Sequence, residues 1–396
     1  MKHSMLSKNI LLLLASGFFY FASPMLVTPL ITGFSETLGA GAAFMGIVGG
    51  MMNLCSLFCR PVMGSFIDRI SKYRLSMAGL LFMTVACAGY LLSVNPLMVL
   101  FFRIINGVGF ALCSSSMSTW MSLLLPPEKI GSGMGIYGMM NALAMAVAPS
   151  IGVVLYQTLG YRISFIVAAV FTGLSLVLIQ FVSDRGEPIL RPATPGPGKD
   201  TDKNPGEAAR KKLQIVEPKV LPIALIIMLF SIPYCATQSF IVRYTETRNL
   251  PVTVSLFFPI YAAALLILRF TMRDLFDRLR FSVFFAGSSL CAFLSILLLA
   301  LMKSDLPMCV AAVLMAGGYG IMSSVCQSRA IVIAGREHAG LGNSTYYIGL
   351  DLGMTLGPML GGLLYGSVDV RLFYPVLLLC VPMAVLVFLL NRRTLS

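Results

Sequence analysis

The chain has 396 residues, of which 57% are hydrophobic and only 11% charged, and its mean hydropathy is +0.87. A soluble domain carries about 25% charged residues, so a chain this apolar must hide most of its length in lipid or against other buried helices. Its net charge of +13 does not mark a nucleic-acid surface, because the basic residues are spread through the connectors between apolar runs rather than gathered in one patch.

A membrane helix takes about 20 mostly apolar residues. The sequence predicts twelve such spans, at 9–33, 41–63, 74–94, 97–125, 131–158, 161–183, 220–243, 251–272, 281–302, 307–334, 340–366 and 370–390. The first follows Met1-Lys-His-Ser-Met-Leu-Ser-Lys8 and shows no small-residue cleavage site, so it is read as an uncleaved membrane helix rather than a signal peptide. Most connectors are very short. The exception, 184–219, carries Arg185, Lys199, Asp200, Asp202, Lys203, Arg210, Lys211 and Lys212 with Pro192, Pro195, Pro197 and Pro205, and reads as a solvated linker between halves at 1–183 and 220–396.

With the N-terminus inside, the termini and the connectors after spans 2, 4, 6, 8 and 10 hold 22 of the 29 Lys and Arg, and the other side holds five. That bias predicts a multi-pass protein of the plasma membrane with both termini and the linker cytoplasmic. All nine cysteines fall inside apolar runs, and no spacing suits a structural metal, so they are read as packing.

Between spans 2 and 3 the chain reads Gly64-Ser-Phe-Ile-Asp68-Arg69-Ile-Ser-Lys72-Tyr-Arg74. Between spans 8 and 9 it reads Met272-Arg-Asp-Leu-Phe-Asp277-Arg278-Leu-Arg280. A shift of 209 superposes Arg60 on Arg269, Asp68 on Asp277, Arg69 on Arg278, Glu128 on Glu337, Gly133 on Gly342, Pro149 on Pro358 and Gly152 on Gly361. Charges and glycines kept in one frame over nearly three hundred residues indicate a duplicated half. The first loop resembles the G-x-x-x-D-R-x-x-[RK]-x-[RK] signature of the major facilitator superfamily, and the second resembles a worn copy with Arg273 in place of glycine. The resemblance implies an all-α integral membrane fold of twelve transmembrane helices in two pseudo-symmetric six-helix bundles, with substrate near the midplane between them. It further implies a cytoplasmic gate. Asp68 would face the start of span 11 near Gly340–Asn343, where unpaired N–H groups favour a negative charge. Arg69, Lys72 and Arg74 would clamp the halves, with Asp277 and Arg278 as their counterparts, and Gly64 would allow close helix approach. Simple positive-inside topology is the plainer reading of the same charges.

Ionisable groups inside membrane spans are costly and therefore informative. Of the sixteen acidic residues only Asp351, in Tyr346-Tyr-Ile-Gly349-Leu-Asp351-Leu-Gly353, falls well inside a span, and its repeat counterpart is Ala142. A low-dielectric core penalises a charged carboxylate. This suits a group that takes a proton on one side and releases it on the other; a structural ion pair with Arg103 or Arg329, or a cationic substrate, would suit it too. Arg103, in Arg103-Ile-Ile-Asn106-Gly107-Val-Gly109, resembles the R-x-x-Q-G-x-G signature of proton-coupled facilitators with Asn106 in place of glutamine, and by that resemblance assists proton movement. Alternatively it snorkels outward. Arg329 approaches the cytoplasmic end of its span. Asn106, Asn141, Tyr234, Gln238, Tyr319, Gln327, Arg329, Tyr346 and Tyr347 are candidates for lining a substrate cavity, or else make hydrogen bonds between helices.

Gly349, Gly353, Gly357-Pro358 and Gly361-Gly362 set small residues every four positions along span 11, a close-packing face, with Pro149 and Gly152 as the shorter version in span 5. Proton–drug antiporters carry a related G-x-x-x-G-P-x-x-G-G signature on helix 5, whereas here the fuller copy is on span 11. No G-x-x-x-x-G-K-[ST] loop is present, and His3 and His338 both sit at cytoplasmic positions, so neither ATP, a metal, another cofactor nor a Ser-His-Asp centre is expected. The sequence thus predicts a monomeric, proton-coupled exporter of a drug or metabolite. Uptake by proton symport of a sugar or organic acid is the alternative, and a membrane-embedded enzyme the remote one.

Overall fold

Apolar runs of this length leave the backbone no water to bond, so each closes its hydrogen bonds internally as a helix. The structure, a computed structural model, describes residues 7–126, 130–187, 216–272 and 279–395, without the side chains of 60–69, 130–132, 135, 142, 270, 335–340 and 343. Among the described residues ten helices are long and apolar enough to cross a membrane, and Val254–Arg269 is a shorter apolar one. One of the ten is double. The stretch Ile130–Gln180 breaks at Gly160, whose φ of 82° only glycine adopts cheaply. The twelve spans are therefore α1 (Lys8–Thr37), α2 (Ala42–Arg69), α3 (Lys72–Leu92), α4 (Pro96–Leu124), α5 and α6 (130–159 and 161–180), α7 (Leu221–Thr247), α8 (Phe257–Thr271), α9 (Phe281–Leu301), α10 (Asp305–Ala334), α11 (Ser344–Ser367) and α12 (Val370–Leu390). They form two pseudo-symmetric six-helix bundles, α1–α6 and α7–α12.

Local chemistry sets several boundaries. Ser7 accepts the Ile10 amide at the start of α1, and Asn95 accepts the Met98 amide ahead of Pro96 at the start of α4. The eighth span starts later than predicted because Pro251 and a 3₁₀ turn at Val254–Leu256 occupy its first residues. Its entry is tied to α10 by Asp305, which accepts from the Thr253 amide at 2.5 Å.

The duplicated half is visible in the packing. A Cβ on Gly133 would lie 2.3 Å from Leu125, and one on Gly342 would lie 2.4 Å from Ala334. Gly109 presses on Met83 as Gly318 presses on Ala292. In both pairs the two positions and their two neighbours are offset by the sequence repeat. Gly152 meets the Leu26 carbonyl in α1, and Gly361 meets Ala236 and Phe240 in α7, so α5 packs on α1 as α11 packs on α7. Gly349, Gly353 and Gly357 complete that α7 face, against Ala224, Met228 and Ile232.

Both chain ends emerge on one face, called here the terminal face. The 38–41, 248–253 and 368–369 connectors lie on the opposite, far face. The described ends of the long connector each hold a bundle. Lys72 donates its amide to the Gly186 carbonyl, Ser71 donates its hydroxyl to the Arg185 carbonyl at 2.6 Å, and the Glu217 amide donates to Thr345 Oγ1 at 2.9 Å.

Candidate functional site

Where the bundles meet at the far face, they are held shut. Gly46, Gly49 and Gly50 of α2 lie against Pro358, Met359, Gly362 and Thr355 of α11, so closely that a Cβ on Gly50 would sit 2.5 Å from the Thr355 carbonyl oxygen. Asn53 donates to the Met354 carbonyl at 3.4 Å on the same stripe. Between α1 and α7, Thr32 donates to the Ser239 carbonyl at 2.8 Å, and Arg243 pairs with Glu36 as well as with Glu246 of its own helix. Tyr156 of α5 also donates to Glu246, at 3.1 Å.

Arg243 is the only cation in this cluster of two carboxylates. Removing it leaves Glu36 and Glu246 repelling each other across the seam. The three side chains are 23, 32 and 34% exposed, so solvent screening discounts the pair to about 1 kcal/mol. Arg243→Ala is accordingly expected to favour separation of the far face about 5-fold. Hydrogen–deuterium exchange should quicken at the far ends of α1 and α7 and stay unchanged in α3.

The pseudo-symmetric pair, α5 with α8, packs differently. The repeat places Ser255, Phe258 and Pro259 where α2 has its three glycines, and these larger residues cannot seat as closely. Further along α8, at residues 261–269, a cavity of about 210 Å³ lies between α5, α8 and α10. Its walls are Gly138, Asn141 and Met145 from α5, Tyr261, Ala262, Leu265 and Arg269 from α8, and Tyr319, Gly320 and Ser323 from α10. It thus straddles the two bundles. Tyr319 stacks on Tyr234 with ring centroids 4.2 Å apart and planes at 16°, and Tyr261 flanks Tyr234 at 5.2 Å. Asn141 Oδ1 is buried without a hydrogen-bond partner among the described residues. Arg269 is exposed toward the terminal face and donates to the neutral Ser324 hydroxyl at 3.1 Å.

Of the sequence candidates, Asn141 and Tyr319 line the cavity, and Tyr234 backs it. Tyr346 stands just beyond, donating to the Ser323 carbonyl at 2.8 Å, and Gln327 donates to Tyr347 at 3.1 Å. Gln238 is buried in α7, one turn past Tyr234, and does not reach the cavity. Arg329 is half-buried near the end of α10. Tyr261, Arg269, Ser323 and Met145 escaped the sequence reading. The first and last look like packing in an apolar run, and Arg269 looks like one more positive-inside charge.

Arg103 and Asn106 lie elsewhere. Arg103, 1% exposed, donates from Nε to the Val48 carbonyl at 3.3 Å and stands beside the Tyr90 hydroxyl, so its contacts are with α2 and α3 of its own bundle. Val48, Met52 and Cys55 form the face of α2 turned to α4, while Gly46, Gly49, Gly50 and Asn53 form the face turned to α11. Helix α2 therefore stands between Arg103 and the helix that carries Asp351. Asn106 is buried beside it with neither amide atom hydrogen-bonded among the described residues.

Asp351 is 3% exposed. Helical spacing puts it one turn before Thr355 on the stripe of α11 that meets α2, and Thr355 donates to its carbonyl at 2.8 Å. Asp351 and Arg269 both act electrostatically on Tyr346, which bonds to Ser323 on the cavity wall. The carboxylate and the cavity cation are thus linked through one tyrosine. In the gate loops, Lys72 is buried beneath Gly186 and Arg74 is exposed, while the side chains of Gly64, Asp68 and Arg69, together with Asp277 and Arg278, lie outside the described residues. All nine cysteines are free thiols, and no group of three metal-binding side chains occurs among the described residues.

Comparison with known proteins agrees with this fold. Over 175 residues the chain is 26% identical to the multi-drug resistance efflux pump PmrA of Streptococcus pneumoniae, covering 43% of this chain and 44% of that protein. It is 23% identical over 177 residues to an MFS-type transporter of Methanocaldococcus jannaschii, covering 45% and 46%. The chain thus spans less than half the length of the curated relatives it matches. Among solved structures it superposes on a bacterial homologue of the human lysosomal transporter Spinster, in an inward-facing and unoccupied conformation, with a TM-score of 0.75 at 14% identity over 100% of this chain and 98% of that one. The model of the Major Facilitator Superfamily matches residues 12–305 and 275–395. A match that starts in the first bundle and runs to the end of the second makes this chain a member of the Major Facilitator Superfamily.

Proposed function

We propose that the chain exports a small drug or metabolite across the plasma membrane by alternating access, driven by protons moving inward. The observation that carries this reading is the cavity between α5, α8 and α10, which has walls from both bundles and lies beside a tightly packed far face. With the terminal face cytoplasmic, as the Lys and Arg count indicates, this is an inward-facing arrangement that receives substrate from the cytoplasm. The bodies that rock are residues 1–183 and 220–396, tethered by 184–219. Asp68, Arg69, Lys72 and Arg74, with Asp277 and Arg278, close the cytoplasmic side in the opposite state.

Asp351 takes the proton. It sits on the α11 stripe that must part from α2 when the far face opens, so the same movement that exposes the site changes the carboxylate's surroundings. Its link through Tyr346 to Ser323 gives proton and substrate a common wall. Arg103 acts at a distance in this scheme, by setting the position of α2. The similarity to multidrug efflux proteins supports export. One observation favours the second reading, proton symport of a small organic acid. Arg269 on the cavity wall suits an anionic cargo, and an anion held there would stabilise a proton on Asp351 if the two act on each other as both act on Tyr346, mutual stabilisation of the two cargoes being the sign of symport.

Filling the cavity tests the location. Asn141→Trp is expected to remove most transport of any substrate from proteoliposomes while the protein keeps its unfolding temperature. A variant that transports as well as the unaltered protein would move the site elsewhere.

A further inference from the structure

The lining of the cavity carries more than a location, and the step taken here rests on the transport reading just given, in either direction. Arg269 is the sole ionisable side chain among the wall residues apart from the two tyrosines, and no carboxylate lines the space. Among the described residues Arg269 forms no ion pair, its side-chain partner being the Ser324 hydroxyl. Its guanidinium presents paired N–H donors that match a carboxylate in plane. A cationic substrate would meet a like charge on the cavity wall, with no carboxylate among the described wall residues to offset it.

Part of the lining is aromatic. Tyr319 stacks on Tyr234 and Tyr261 packs tilted against it, so that both tyrosines of the cavity wall are held in place by Tyr234. Such a surface favours an aromatic partner, because aromatic pairs gain from edge-to-face as well as offset-stacked contact. Asn141, with its buried Oδ1 lacking a partner, offers one more polar contact. The space of about 210 Å³, room for about seven water molecules, accommodates a single substituted ring.

We infer that the substrate is a small aromatic monoanion, its ring packed in the tyrosine-lined part of the cavity and its carboxylate paired with Arg269, which makes Arg269 the residue that selects for charge.

The test uses the full chain in proteoliposomes and reads counterflow of radiolabelled benzoate, with benzamide, benzylamine and cyclohexanecarboxylate as competitors. Cyclohexanecarboxylate is expected to compete at least several-fold more weakly than unlabelled benzoate, and benzamide and benzylamine at least 10-fold more weakly. Arg269→Gln is expected to weaken benzoate at least 10-fold and to abolish the advantage of acid over amide, with Arg269→Lys in between. Benzoate that does not exchange, benzylamine competing as well as benzoate, or Arg269→Gln with unchanged benzoate affinity would each overturn the assignment. Asn141→Trp separates the two levels of the argument. If another compound is transported and Asn141→Trp blocks it while benzoate fails, the cavity stands and the aromatic acid falls. If Asn141→Trp blocks nothing, the location itself is what fails.

Discussion

Gly50→Leu is expected to stop turnover while leaving both bundles folded. A Cβ there would lie 2.5 Å from the Thr355 carbonyl oxygen and 3.3 Å from Met359 Cγ, and the first of these is backbone, which cannot rotate out of the way. The two helices must therefore separate. Overpacking of this kind costs about 1–3 kcal/mol, which moves the equilibrium about 5- to 150-fold away from the closed far face. Because the seam lies between the bundles and not within either, the cost falls on one conformation and not on folding. Hydrogen–deuterium exchange should quicken in peptides covering 42–53 and 355–367 and stay unchanged in α3 and α4, while transport falls by at least about 5-fold. Normal turnover with unchanged exchange would show that the α2–α11 seam is not a moving contact.

The seam and the cavity share an origin. After duplication the two inter-bundle pairs, α2 with α11 and α5 with α8, are related by the repeat. The first has Gly46, Gly49 and Gly50 on its contact stripe, and the second has Ser255, Phe258 and Pro259. Glycines let the first pair close to backbone contact, whereas the cavity of the second pair lies further along α8, at residues 261–269.

This part of the account was open to the sequence once the register was known, but its consequence was not. The twelve spans were legible because each must present about 20 apolar residues to lipid. The separation of spans 131–158 and 161–183 was legible from their lengths, with the break itself at Gly160, and the repeat fixed which glycines would be equivalent, as the Gly133–Leu125 and Gly342–Ala334 contacts bear out. Two of the named cavity candidates, Asn141 and Tyr319, do line the space. Tyr261 did not stand out, because an aromatic residue in an apolar run looks the same whether it faces a neighbour or a cavity. Arg269 was counted with the positive-inside charges, since residue number does not say which way a side chain near a helix end turns. The same limit applies to Arg103, whose choice between solvent, lipid interface and the Val48 carbonyl is made by which face of α4 meets α2.

The second large effect is expected at Asp351, where the central claim stands or falls. Asparagine keeps the shape of the side chain and removes its ability to carry a proton, so Asp351→Asn should separate substrate binding from proton movement. The measurement is made in proteoliposomes with a pH-sensitive dye inside, an imposed proton gradient, and a panel of small acids, neutral metabolites and drugs. The unaltered protein should show substrate-dependent proton flux, whose sign separates export from uptake. In Asp351→Asn that flux should fall to the level of protein-free liposomes, while counterflow of the same substrate, which needs no net proton movement, continues. Undiminished substrate-dependent proton flux in Asp351→Asn would contradict the assignment of Asp351 as the proton carrier.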